Sequence, residues 1–305
     1  MGRAIFGTAV ARDARSGRTS AAWIRGAVLV AAIAAWSLSL ALSPAMAQID
    51  LRNDRIKFDY YEPRDPKLVP LYERLQRRQV LEELSQFLAP VRWPKTLRLI
   101  MKECPAGTRR PEVVYSSVER SISICYQLLA FLGSLQPPPA FASRQEVIVG
   151  GLVGVVLHES ARAIFDTLNI PRLGDDDDAA DQLAAFIGLQ FGDDVASVVI
   201  KGSYFVWKRY DEEIVAAERQ YDFAARSSLP RQRMYNMLCI AYGGASQTFK
   251  AFVDQGDLLS RRAENCADEY RLVRQAFLKT IVPYIDADMM AKARSVKWVS
   301  PDDFK

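Results

Sequence analysis

Apolar and polar positions alternate along this chain with two periods, and helical spacing dominates. Leu68, Leu71, Leu75, Leu81, Leu84 and Leu88 recur at helical intervals with charged residues between them, which predicts an N-terminal amphipathic helix over residues 66–90. Pro90 and Pro94 stop it, and Thr96 to Met101 then alternates around an outward Arg98 as a strand does. Further strands are predicted around Glu112 to Tyr115 and Ser121 to Cys125, followed by a helical pattern from Tyr126 to Leu135 and a rigid Pro137-Pro138-Pro139 break.

Ser143 and Glu146 have the spacing of a capping box, so a long helix begins there and can run to about Leu168. Gly150, Gly151 and Gly154 cost that helix stability unless another backbone approaches closely, and tight packing is the expectation. Asn169 to Gly174 is a turn, and Asp175, Asp176, Asp177 and Asp178 open the next helix, where the N-terminal dipole favours negative charge. The rest is helical in pattern, with breaks at Ser227 to Pro230 and Tyr242 to Gly244. Residues 48–65 are polar and rich in turn formers, and read as a linker or extended arm. The fold class expected is α+β, predominantly helical, with a small sheet.

Residues 1–47 follow a different rule. Arg3, Arg12, Arg15, Arg18 and Arg25 precede an uncharged apolar run from Gly26 to Leu42, which ends in small residues before Ala47 and Gln48. This is the layout of a signal peptide cleaved near Ala47/Gln48, implying a periplasmic or secreted protein; a retained membrane anchor is the alternative, and a membrane is expected only in that case. The segment carries five of the 40 basic residues and one of the 36 acidic ones, so the net +4 belongs to it and the remainder is neutral. No basic stripe with interleaved aromatics follows, which argues against nucleic acid as a partner.

Four cysteines, Cys104, Cys125, Cys239 and Cys266, lie in the exported part, and none forms a close Cys-x-x-Cys pair. Disulfides suit an oxidising compartment better than zinc, with buried free thiols as the alternative. Three connectivities are open; the sequence-local one closes loops of moderate length.

The informative segment is His158-Glu159-Ser160-Ala161-Arg162, because His158 and Arg162 stand one turn apart on one helical face. With its continuation through Pro171-Arg172-Leu173-Gly174, the stretch Asp177-Asp178-Ala179-Ala180-Asp181-Gln182, then Gln232-Arg233-Met234-Tyr235 and Arg262-Ala263-Glu264-Asn265-Cys266, it resembles the gluzincin-like His-Glu-x-x-His metallopeptidases of unknown function found in bacteria. The likeness runs from about Thr96 to Tyr284. It implies a zincin-like metallopeptidase domain over residues 91–305 with a two-helix active-site core. In that family two histidines and a downstream Glu hold zinc, and the Glu of the motif is the general base. The resemblance therefore puts Glu159 in the general-base position, His158 and Asp177 in ligand positions, and Asp181 as the brace of His158.

The departures fall where the chemistry would occur: Arg162 replaces the second ligand histidine, Asp177 replaces Glu, and Ser227 stands where relatives carry a histidine. His158 is also the only histidine in 305 residues, so a two-histidine zinc site is impossible. Arg cannot shed its proton to become a ligand. No cofactor is expected, and the Arg162 guanidinium is expected to stand in for the metal by pairing with Asp177 and Glu159.

Three functions follow. The first is an exported pseudo-peptidase that binds or regulates a peptide or protein partner in the cell envelope. The second is an active zinc peptidase using His158, Asp177 and water, with Glu159 as base. The third is a structural envelope protein anchored by an uncleaved segment. The four-Asp run lacks the spacing of a calcium loop, and no Gly-x-Ser-x-Gly elbow supports a serine hydrolase. Tyr204, Phe205, Trp207 and Tyr210 form an aromatic stripe assigned to core packing.

Overall fold

The computed structural model describes residues 51–108, 112–216, 224 and 228–298, all within one compact unit, Ile49–Lys305. The signal-peptide reading of residues 1–47 and the departure at Ser227 lie outside the described residues.

The architecture is α+β and mostly helical. A four-stranded sheet comes from β1 (Ile56–Tyr60), β2 (Leu97–Lys102), β3 (Val113–Ser116) and β4 (Ser121–Cys125), in the order β1-β2-β4-β3. β1, β2 and β4 run parallel, and β3 returns antiparallel as the edge, pairing Val113 with Ile124 and Ser116 with Ser121. The central strands are fully buried at Leu97, Leu99, Met101, Ile122 and Ile124, as strands covered on both faces must be. β1 lies inside the stretch read as a linker. Ile56-Lys57-Phe58-Asp59-Tyr60 does alternate apolar and polar residues as a strand does, a short signal missed among the turn formers around it; only Ile56 is buried, and the pairing with β2 is long-range.

The predicted 66–90 helix is two helices, α1 (Val69–Arg77) and α2 (Val80–Gln86). Gln79 between them adopts a left-handed φ of 53°, which interrupts the helical hydrogen bonding while keeping Leu75, Leu81 and Leu84 on the buried side. The helical body then follows: α3 (Tyr126–Ser134), α4 (Arg144–Thr167), α5 (Asp176–Leu189), α6 (Asp193–Ala216), α7 (Pro230–Gly244), the short α8 (Lys250–Asp254) and α9 (Ser260–Ala263), α10 (Cys266–Thr280) and α11 (Ala287–Ser295).

The Ser143–Glu146 capping box forms in both directions at the start of α4. α4 then runs through the centre of the core against α6. A Cβ on Gly150 would sit 1.8 Å from the Val198 carbonyl oxygen, and one on Gly202 would sit 2.1 Å from the Gly151 amide nitrogen. The glycines are therefore the condition for this backbone-to-backbone crossing, and the crossing holds the middle of α4 rigid. The break read at Tyr242–Gly244 falls at the C-terminus of α7, which ends at Gly244. A Cβ on Gly243 would sit 2.1 Å from the Cys266 carbonyl oxygen, so that glycine also permits the contact with α10.

Both cysteine pairs are sequence-local. Cys104–Cys125 joins the ends of β2 and β4, and Cys239–Cys266 joins α7 to the start of α10, with Cα separations of 4.9 and 4.8 Å. Such bonds suit an oxidising, extracytoplasmic setting.

Candidate functional site

Five elements converge on the lone imidazole. α4 presents His158, Glu159 and Arg162 from adjacent positions of one turn; α5 faces it with Asp177 and Asp181, four residues apart and so on one face. α7 contributes Arg233, α6 contributes Trp207, and the edge strand β3 contributes its Tyr115 amide. The capping of α5 sets its start: the Asp175 carboxylate accepts from the Asp177 and Asp178 amides.

His158 is 8 % exposed. Its Nδ1 shares a 2.7 Å hydrogen bond with Asp181 Oδ1, while its Nε2 points between Glu159 Oε1 and Asp177 Oδ1, 3.6 Å from each. Burial on its own lowers the imidazole pKa, but the charge of Asp181 and the contacts with Asp177 and Asp181 outweigh it, and Arg233 only partly opposes them; the result is a pKa raised to about 9. At neutral pH the ring is an imidazolium.

Two guanidiniums complete the cluster. Arg162 Nη1 donates to Asp177 Oδ1 at 2.7 Å, and its Nε lies 3.7 Å from Glu159 Oε2. Arg233, 8 % exposed, forks onto Asp181 through Nε at 2.6 Å and Nη2 at 3.0 Å. Its Nη2 is also 3.2 Å from His158 Nδ1 and 3.4 Å from Nε2, and its guanidinium carbon lies 3.8 Å over the Trp207 ring. Burial disfavours both charges of the Arg233–Asp181 pair, yet the attractions prevail: His158 first and Arg233 after it hold Asp181 below the ordinary carboxylate range, and Asp181, with Asp177 and Asp178, holds Arg233 above the ordinary guanidinium range.

Glu159 accepts a 2.7 Å hydrogen bond from the Tyr115 amide. Burial nevertheless dominates and raises its pKa, against the pull of His158, Arg162 and that amide. The cluster thus holds three cationic side chains, His158, Arg162 and Arg233, against three acidic ones, Glu159, Asp177 and Asp181. Such near-neutrality is what a buried ionic network requires.

Sequence reasoning brought together His158, Glu159, Arg162, Asp177 and Asp181, and all five meet here. It did not foresee Arg233 at the imidazole: Gln232-Arg233 stood out only as part of a motif, with no spacing that links it to His158 75 residues earlier. Nor did it foresee that Trp207, read as core packing, carries a cation on its face. The four-Asp run opens α5 as expected, with Asp175 at its N-cap and the other three in its first turn, and each acid also has its own partner. Asp175 caps α5, Asp176 pairs with Arg172 at 2.7 Å, Asp177 with Arg162, and Asp178 accepts from Ser228 at 2.7 Å.

Beside the cluster lies an open polar cleft of ≈ 190 Å³ lined by Tyr115, Ser117, Arg162, Phe165, Asp166, Arg172 and Asp176. The Tyr115 hydroxyl donates to Asp166 Oδ2 at 2.7 Å. Arg162 is shared between cluster and cleft.

Among known proteins, no curated protein and no solved structure matches this chain. A family described as "Putative metallopeptidase" matches residues 60–280, which run from the last residue of β1 to the end of α10 and include every residue of the cluster. The chain belongs to that metallopeptidase family.

Proposed function

We propose that this protein is an exported member of its family that no longer hydrolyses peptides through zinc and acts instead by binding a peptide or protein partner in the cell envelope. One observation carries the reading: the two acids that α5 sets against the sole imidazole already hold arginine side chains, Asp177 through Arg162 and Asp181 through Arg233.

The donor set does not fit a zinc site. Catalytic zinc takes three protein ligands and water, and here one imidazole and one carboxylate stand in the ligand positions. Asp177 Oδ1 accepts from Arg162, and Arg233 Nη2 lies 3.4 Å from His158 Nε2. An imidazolium has no lone pair to give a metal. A divalent ion would have to displace two fixed positive charges and deprotonate His158, against Coulomb repulsion inside a partly water-free site. Glu159 keeps the general-base position, but without a bound, acidified water it has no nucleophile to generate.

Export is supported by the basic-then-apolar segment ending near Ala47 and by two disulfides. Binding is supported by the open cleft that adjoins Arg162. The test is elemental analysis of the purified protein alongside peptide hydrolysis. The expected result is far less than one equivalent of zinc and no cleavage above a heat-denatured control; one tightly held equivalent, with cleavage lost on chelation, overturns the proposal.

A further inference from the structure

The cleft beside the ionic cluster has the donor and acceptor pattern of a receptor for one terminal group. Arg162 and Arg172 bring guanidiniums to its walls, Ser117 brings a hydroxyl, and Phe165 lies beneath Arg172, whose guanidinium carbon is 5.2 Å from the ring centre. Arg172 places Nε on Asp176 at 2.7 Å and Nη1 on the Ile170 carbonyl at 3.3 Å. Arg162 places Nη1 on Asp177. Each guanidinium has five N–H donors in a planar fork, so these bonds orient both forks and leave donors for an acceptor in the cleft.

The same cleft holds an acceptor of opposite sense. Asp166 is exposed, and its Oδ2 takes the Tyr115 hydroxyl while Oδ1 faces no described donor. Two cations with spare donors beside one carboxylate with a spare acceptor match a ligand that pairs a single negative charge with a neighbouring N–H. A dianion such as phosphate suits the cleft less, because Asp166 and Asp176 would repel it. At ≈ 190 Å³ the space falls below the roughly 300–1,000 Å³ of a drug-sized ligand site, enough for a terminal group. Val118 and Leu173, the sequence neighbours of Ser117 and Arg172, are 87 % and 103 % exposed, and give the rim an apolar surface for the side chains that precede such a terminus.

We propose that the Arg162–Arg172 cleft binds an α-carboxylate together with its adjacent N–H, the chemistry of a peptide C-terminus. This names the ligand class for the non-hydrolytic peptide binding proposed above and rests on that reading. The replacement of a metal-ligand position by Arg162 then has a consequence beyond losing zinc: it adds a carboxylate anchor at the mouth of the site.

The experiment is calorimetric titration of the purified protein with tetra-alanine bearing a free C-terminal carboxylate, with its C-terminally amidated counterpart, and with free alanine. The expected result is binding of the acid at least about tenfold tighter than the amide, the scale of a charge-assisted bidentate contact. Free alanine binding as tightly as tetra-alanine supports the same site with a free amino acid as its source; weaker binding points to a peptide end. Arg172→Gln should erase the preference for the acid at unchanged melting temperature, since Arg172 is exposed. Should that variant fail to fold, Asp166→Asn should weaken tetra-alanine and free alanine alike. Equal binding of acid and amide, no binding of any probe at about 10 mM, a full preference persisting in folded Arg172→Gln, or unweakened binding by folded Asp166→Asn overturns the carboxylate site. Zinc-dependent cleavage of tetra-alanine with the acid preference intact overturns the non-hydrolytic reading and leaves this site standing.

Discussion

Arg233 grips Asp181 with two nitrogens, Nε at 2.6 Å and Nη2 at 3.0 Å, in a pocket where Asp181 is 3 % exposed and Arg233 8 %. Removing one partner of such a pair leaves the other charged and desolvated. Arg233→Met is therefore expected to cost about 3–5 kcal/mol of stability, moderated by His158, which remains on Asp181. Urea unfolding measures it, and Asp181→Asn combined with Arg233→Met should cost less than the two single changes added together. Strict additivity would mean that the pair is not coupled.

The metal question extends to the obvious reversion. Arg162→His restores the second histidine of the motif but leaves Arg233 Nη2 3.4 Å from His158 Nε2. The single change is expected to bind zinc no better than micromolar and to cleave no peptide. Competition against a chromophoric chelator reads this directly; nanomolar zinc with accompanying hydrolysis would show that Arg162 alone had silenced the site.

His158 is the sole histidine, so its imidazole gives one unambiguous nuclear resonance signal. That signal should titrate near pH 9 instead of near 6.5. A folded pKa above the unfolded one means that the stabilisation is fully present below about pH 6.5 and disappears as pH rises through about 9; it amounts to about 3 kcal/mol. Unfolding midpoints between pH 6 and 10 should fall in wild type and flatten in His158→Gln. Asp181 acts at the other end, because its depressed pKa adds stability above the ordinary carboxylate range that is lost as pH falls through its folded value.

Close approach of α4 and α6 makes a steric prediction independent of charge. Gly202→Ala forces a methyl to 2.1 Å from the Gly151 amide nitrogen, against backbone that cannot rotate away. The helices must separate, and a loss above about 3 kcal/mol is expected, at or beyond the upper end of ordinary overpacking. Thermal unfolding decides, and a change under 1 kcal/mol would mean that the crossing is looser than its distances imply.

The Cys239–Cys266 bond ties α7, which carries Arg233, to α10. Cys239→Ser with Cys266→Ser is expected to cost about 2–5 kcal/mol and to shift the His158 resonance through movement of Arg233. An unshifted signal in a destabilised variant would separate the bond's role in the fold from any role in the cluster.

Local patterns decided much of this protein in advance. The capping box at Ser143 and Glu146, the apolar run at Leu97 to Met101 interrupted only by Arg98, and the one-turn spacing of His158 and Arg162 are all written in neighbouring residues, because helix and strand periodicity is a short-range property. The two α5 acids, Asp177 and Asp181, came from the family resemblance and not from spacing; lying one turn apart, they share one face of α5. What no local pattern contains is which distant segment completes a pair. β1 finds its partner β2 far along the chain, Gln79 breaks a regular leucine repeat, and Arg233 arrives at His158 from a helix 75 residues away. These features depend on contacts between segments far apart in the chain, whose energy exists only once burial has removed water from between them. Tertiary structure alone therefore determined that a second arginine, Arg233, reaches the lone imidazole and that an open polar cleft borders the cluster.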